Sequence, residues 1–254
     1  MSPKVKSSLR HLRVSLAPPH WPIPRKGRVW TVKPSPGPHP LASCIPLGLI
    51  IRDVLGYTTT MRETRRVLAE RKVMVDGRVV TDYKYPVGLM DIIHIVPEAK
   101  YYRVVPGTPA RKLVLAEIDE EEAHLKLLRI KRKTTVRGGD IQLTFHDGRN
   151  YLIRVKDPRN PVEAPYRTFD SVLFDLRSKS IVEHIPFSEG VLAVVIDGRN
   201  TGFLGRIEGI QVIFKRRDAL VTLRSSEGVE ARTVAEYVFP VGREKPLVTV
   251  GARL

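Results

Sequence analysis

The chain has 254 residues, long enough for two or three small domains that each bury a core. Its 43 lysines and arginines against 27 acidic residues leave a net charge of +16, a field that attracts polyanions, nucleic acid ahead of acidic membrane. No apolar run reaches the ~18 residues of a membrane helix, the basic N-terminus lacks the apolar stretch of a signal peptide, and the single cysteine, Cys44, excludes an intrachain disulfide and a cysteine-cluster zinc site. A cytoplasmic setting is expected.

Residues 1–42 form a basic arm. They hold Lys4, Lys6, Arg10, Arg13, Arg25, Lys26, Arg28 and Lys33 and no acidic residue, so about one sixth of the chain supplies half of the net charge. Frequent prolines forbid long helices and central strands. Such a segment buries little surface alone and is expected to stay extended until a partner orders it. Trp21 and Trp30 sit among the cations in HWPIPRKGRVW (20–30). Two roles are open to them: anchors onto the protein's own body, or platforms for exposed bases.

Residues 43–55 read as a helix with Ile45, Leu49, Ile50 and Val54 on its buried stripe, Pro46 in its first turn and Gly56 as its C′ stop. A second helix starts at Thr60, which has capping-box spacing to Glu63. At about 100° per residue Met61, Thr64, Val67 and Leu68 share one face, and Arg62, Arg65 and Arg66 share the opposite one. Asp76-Gly77 between β-branched runs predicts a tight hairpin, because both central residues of such a turn need positive φ. A return strand is expected over 91–95, with His94 in a packing or surface role.

Helix, helix, then ERKVMVDGRVV (70–80) and YPVGLMDIIHI (85–95) resembles the S-four domain, a small RNA-binding fold found in ribosomal proteins and RNA-modifying enzymes. That resemblance implies RNA contacts by the second helix and the start of the hairpin, here Arg62, Arg65, Arg66, Arg71, Lys72 and Arg78. The flanking runs LAPPHW (16–21), PSPGPH (34–39) and RVVTDYKYPVGLMDIIHI (78–95) are similar to the archaeal and eukaryotic small-subunit ribosomal protein family S-four-e.

Further on, Asp119 is a plausible N-cap for a short helix over 120–125, whose glutamates suit its N-terminal dipole. Residues 126–136 alternate apolar and basic side chains (Leu128, Ile130, Lys131, Arg132, Lys133). Gly138-Gly139 turns the chain, and strands are expected over 141–145 and 150–155. Between them, His146-Asp147-Gly148-Arg149 reads as turn chemistry and not as a catalytic pair. Short strands are expected over 172–176, 180–185, 191–196, 202–207, 211–214 and 219–224, spaced as in a small barrel. Within them VVIDGRNTGFLGRI (194–207) resembles a KOW motif, with Gly202 at the glycine where a close bend excludes a side chain. Residues 233–236 are read as the cap of a last short helix and 246–254 as a closing strand or tail.

No Gly-rich phosphate loop, dinucleotide fingerprint, HExxH helix or GxSxG elbow is present, and the seven histidines are scattered. The expected architecture is α+β and multidomain: an extended basic arm (1–42), an S-four-type RNA-binding module (43–105), a central β-rich domain (106–170) and a KOW-type β-barrel with a tail (171–254). The family resemblance implies a non-enzymatic constituent of the small ribosomal subunit, with small-subunit rRNA and neighbouring ribosomal proteins as partners. No cofactor, metal, membrane or small-molecule substrate is expected. The alternatives are an S-four-bearing RNA-modifying enzyme and a KOW-type transcription elongation factor. The first needs a catalytic domain that the β-rich remainder does not display, and the second leaves the arm and the S-four module without a role.

Overall fold

In the computed structural model of the chain the described residues are 10–157, 162–212 and 218–251. Lys4, Lys6 and the end of the strand expected at 211–214 lie outside them. Among the described residues no helix is long and apolar enough to cross a membrane.

The arm is folded down onto the body. Strand β1 (Leu12–Arg13) pairs antiparallel with β2 (Trp30–Thr31). Leu12, Ala17 and Trp21 are buried in one cluster with Ile45, Leu49 and Leu68. The Trp21 indole donates to the Cys44 carbonyl at 2.7 Å, so this tryptophan takes the anchoring role. Burial of such side chains is worth roughly 1.5–3 kcal/mol each. The expectation of an extended arm is therefore corrected for residues 10–42: the absence of long elements follows from the prolines, but four or five apolar positions suffice to seat the segment.

The next module contains β3 (Cys44–Pro46), helix α1 (Leu47–Leu49) with its π-helical continuation Ile50–Val54, and helix α2 (Met61–Ala69). Strands β4 (Val73–Val75), β5 (Arg78–Val79), β6 (Pro86–Gly88), β7 (Ile92–Ile95), β8 (Lys100–Pro106) and β9 (Leu113–Ile118) follow. Five of them form a sheet in the order β5-β4-β7-β8-β9, while β3 pairs with β6. The first helix thus starts at Leu47, later than expected, because residues 44–46 are taken by the β3–β6 pairing. Gly56 does end it, at φ +71° with the Tyr57 amide donating back to the Ile51 carbonyl. Leu47 and Ile51 are buried, whereas Val54 is 41% exposed, at the rim of a small apolar cleft with Val114 and Leu115.

The central sheet has the order β12-β11-β10-β13-β14, from β10 (Leu125–Thr135), β11 (Ile141–Phe145), β12 (Asn150–Ile153), β13 (Ser171–Asp175) and β14 (Ser180–Ile185). Two strands expected in the C-terminal run, β13 and β14, belong here, and β9, from the region assigned to the central domain, belongs to the preceding sheet. The reason lies in β10. Its first half pairs with β13 and its second half with β11, across a register shift between Ile130 and Arg132. One long strand thus serves two neighbours.

The helix expected over 120–125 is instead a run of turns. Its Glu122 is drawn to the buried Arg103 guanidinium, which also donates to the carbonyls of Glu122 (3.1 Å) and Leu125 (2.7 Å). The last sheet, in the order β18-β17-β16-β15-β19, is built from β15 (Leu192–Val195), β16 (Leu204–Gln211), β17 (Leu220–Arg224), β18 (Glu230–Val234) and β19 (Val238–Gly242). The expected last helix is one 3-10 turn, Ala235–Tyr237, without a side-chain cap. In the β15–β16 loop Gly202 has φ +86°, and a Cβ there would collide with the Gly107 carbonyl of the β8–β9 loop. That glycine is therefore required by a contact between modules.

Candidate nucleic-acid interface

Helix α2 is set by its cap. Thr60 has extended φ and ψ, its hydroxyl accepts from the Glu63 amide at 3.3 Å, and the Glu63 carboxylate accepts from the amides of Thr59 (2.9 Å) and Thr60 (3.3 Å). These donors, the Thr59 amide first, hold the Glu63 carboxyl below the usual range. Thr64 and Leu68 are fully buried and Met61 and Val67 half-buried, so the apolar face is the expected one. Arg62, Arg65 and Arg66 are exposed on the other side.

Arg65 lies over the Tyr83 ring, 4.2 Å from its centroid, and donates to the Tyr83 hydroxyl at 2.8 Å. Arg66 pairs with Glu70 at 3.2 Å while its side chain remains 84% exposed, a contact worth a few tenths of a kcal/mol at this exposure. Past the helix, Arg71 takes φ +58°, the left-handed C′ position usually given to glycine. Lys72 pairs with Glu70 at 2.6 Å. At the hairpin tip Asp76 and Gly77 have φ of +50° and +74°, as the turn requires, and Arg78 points to solvent.

The arm's cations divide. Arg10, Arg13, Lys26 and Arg28 are exposed. Arg25 instead donates to the carbonyls of Val14, Ala17 and Pro18, which closes the arm on itself. Arg10, Arg28, Lys33 and Arg65 line one groove of about 500 Å³ between the arm and α2. Arg52 and Lys84 line it too, and sequence reasoning missed both, since each is a lone cation beside an acid or an aromatic ring. Arg62, Arg66, Arg71, Lys72 and Arg78 do not line that groove.

Beneath the hairpin lies a second constellation, this one buried. The Lys126 ammonium, fully excluded from solvent, donates to Asp76 (2.7 Å), Asp91 (2.6 Å) and Asp147 (3.2 Å). Arg149 bridges Asp76 (2.6 Å) and Asp147 (3.0 Å), and His39 reaches Asp91 at 3.0 Å. Burial works against the Lys126 ammonium, but the three carboxylates outweigh it and hold its pKa above the ordinary lysine value. Burial likewise opposes ionised Asp91, and Lys126 with His39 outweighs that and holds it low. His146, expected as turn chemistry, is buried and bonded through Nε2 to the Leu89 carbonyl, while its Nδ1 accepts from the Arg129 amide. Burial first, then cationic neighbours, lower it to about 3. Arm, helical module and central sheet therefore meet at one charge cluster. Cys44, buried and pushed up to about 12 by desolvation, is an inert thiol.

A basic helix face beside a basic hairpin, on a module clamped to two β-rich neighbours, is the build of a nucleic-acid-binding protein. Comparison with known proteins agrees. Residues 6–42 match the RS4NT (NUC023) domain, residues 54–93 the S4 domain and residues 98–181 the Ribosomal family S4e. The chain is 52% identical over 246 residues to the small ribosomal subunit protein eS4 of Ignicoccus hospitalis, covering 96% of each. It is 52% identical over 241 residues to that of Pyrobaculum aerophilum, covering 94% of this chain and 98% of the relative. The crystal structure of the 30S ribosomal protein S4e from Thermoplasma acidophilum superimposes with a TM-score of 0.65 at 31% identity, over 80% of this chain and 96% of that one. The chain belongs to the ribosomal protein family S4e.

Proposed function

We propose that this chain is a structural constituent of the small ribosomal subunit, working by charge neutralisation and shape and without catalysis. The observation that carries the reading is the exposed face of Arg62, Arg65 and Arg66 on a helix whose other face is buried, in a chain similar along its length to small-subunit proteins. Those arginines, with Arg71, Lys72 and Arg78, hold rRNA phosphates. The arm adds Lys4, Lys6, Arg10, Arg13, Lys26, Arg28 and Lys33, while Arg25 serves mainly to fold the arm. Arginine suits the contact because its planar fork grips a phosphate through two hydrogen bonds.

The buried Lys126 cluster fixes the arm and the helical module relative to the central sheet, so that the cations face RNA as one unit. The C-terminal sheet is read as a KOW-type small barrel, with Gly202 at its characteristic glycine. Partners are small-subunit rRNA and neighbouring ribosomal proteins, and the setting is the cytoplasm. The division of the chain follows the modules: arm, S-four module, central β-rich domain and C-terminal barrel.

Sedimentation of cell lysate tests this. The protein should travel with small subunits and stay there through a moderate salt wash. Recovery wholly in the soluble fraction, or with RNA polymerase, would contradict the proposal.

A further inference from the structure

We infer that the groove between the arm and α2 binds one unpaired, unstacked nucleotide of an RNA strand, with Trp30 as the platform for its base and Arg28, Arg65 and Lys84 as cations for its flanking phosphates. This deepens the ribosomal reading and rests on it. The two tryptophans, alike in sequence context, part company in the structure: Trp21 is 3% exposed, whereas Trp30 is 54% exposed and lines the groove. About half of the Trp30 indole faces solvent among cations, which leaves ring surface open to a ligand.

The chemistry of the walls narrows that ligand. Arg10, Arg28, Lys33, Arg52, Arg65 and Lys84 line the groove, against one carboxylate, Asp53, which Arg52 already holds at 2.7 Å. The site therefore suits an anion. It also has flat surfaces. The Trp30 ring has the His11 imidazole at 5.7 Å and the Arg13 guanidinium at 5.6 Å, and Arg65 is laid on the Tyr83 ring at 4.2 Å. Anionic and flat-faced together describe a nucleotide. A volume of about 500 Å³ is in the range of small-ligand sites and too small for a duplex. Paired bases hide their faces in the stack, so the aromatic wall is useful only to a base that has left it.

The test uses the full chain and its own fluorescence. Single-stranded hexaadenylate RNA should quench the tryptophan emission, a blunt RNA duplex should quench it far less, and inorganic phosphate not at all. Trp30→Phe should abolish the quenching yet keep hexamer affinity, read by anisotropy of labelled RNA, within about threefold. Trp30→Ala should lower that affinity by about 5- to 150-fold, the equivalent of the usual 1–3 kcal/mol per stacked base. Arg28→Glu, an exposed arm position, should weaken the hexamer with the melting temperature unchanged. Emission that stays constant at saturating hexamer, parental affinity in Trp30→Ala, or equal quenching by phosphate would overturn the inference. A Trp30→Ala protein that binds hexamer like the parent and still travels with small subunits removes the groove and leaves the ribosomal role intact. Absence of the parent protein from small subunits, with hexamer quenching retained, does the reverse.

Discussion

Lys126 Nζ on β10 and Asp91 Oδ1 in the turn before β7 meet at 2.6 Å, with side-chain exposures of 0% and 2%. Three separate segments converge on the one Lys126 ammonium. Asp76 comes from the hairpin tip, Asp91 from the turn before β7 and Asp147 from the turn after β11; His39, on Asp91, comes from the arm. A buried ion pair of this kind adds little net stability over well-packed apolar groups, but losing one partner leaves charges stranded.

The first prediction follows from that asymmetry. Lys126→Met should cost about 3–5 kcal/mol, because three carboxylates remain with only Arg149 and His39 to answer them. Chemical denaturation of the purified protein measures it. A cost below about 1 kcal/mol would show that the cluster does not hold the modules together.

Acid should loosen the fold earlier than the carboxylates alone require. Burial lowers His146 to about 3 and His20 to about 4. Unfolded histidines titrate near 6.5. Between that value and the folded ones, the unfolded chain takes up protons that the folded chain refuses, so stability falls as pH drops below about 6.5. The loss should level off for His20 near pH 4 and continue for His146 toward pH 3; below about 4 the unfolded chain also protonates Asp91 and Asp147, whose folded carboxylates resist it, and this adds to the loss. Melting temperature against pH reads this directly, and His146→Gln should flatten the slope between pH 6.5 and 4. An unchanged slope would mean that His146 is not held neutral.

At the hairpin, Gly77→Val should destabilise by about 1–3 kcal/mol, since a β-branched residue resists the positive φ of this turn. A Cβ at Gly77 meets nothing within 4 Å, so the cost is one of backbone conformation alone. Gly77→Asn should accordingly recover most of it. Thermal melts of the pair decide the matter: equal melting temperatures for Val and Asn would exclude backbone strain as the cause.

On the functional face, replacing Arg62, Arg65 and Arg66 together by Glu should leave the fold intact, as all three are exposed. The slope of log affinity for rRNA against log salt should shrink by about 2–3, because each neutralised phosphate contributes roughly 0.7–0.9. Affinity and slope equal to the parent would mark that face as merely solvated.

Much of this was legible in the chain. The capping box at Thr60, the arginine face of α2, the Asp-Gly hairpin and the glycine stop at 56 are local, and local rules carried them. The misplaced features are long-range. Lys126 begins an alternating apolar and basic run and looks like a solvent-facing cation, but the first half of β10 is buried on both faces, which periodicity along one strand does not register. In sequence Glu122 suits a helix dipole, because Arg103, its real partner, sits 19 residues away on β8. The composition of the arm reflects its cations and prolines but not the few buried contacts that seat it. His39 in PSPGPH was legible only as a motif; its reason, the reach to Asp91, needed coordinates. For the groove, the cations of the arm and of α2 are each visible in the sequence, but their convergence on Trp30 depends on the hairpin of β1 and β2, two residues per strand and too short to signal itself.

The most direct measurement is the structure of the assembled small subunit containing this chain. It should place the guanidinium groups of Arg62, Arg65 and Arg66 within hydrogen-bond distance of rRNA phosphates, with the arm lying along the same RNA surface. A subunit in which α2 faces solvent or a protein neighbour, with no phosphate near those three side chains, would contradict the account.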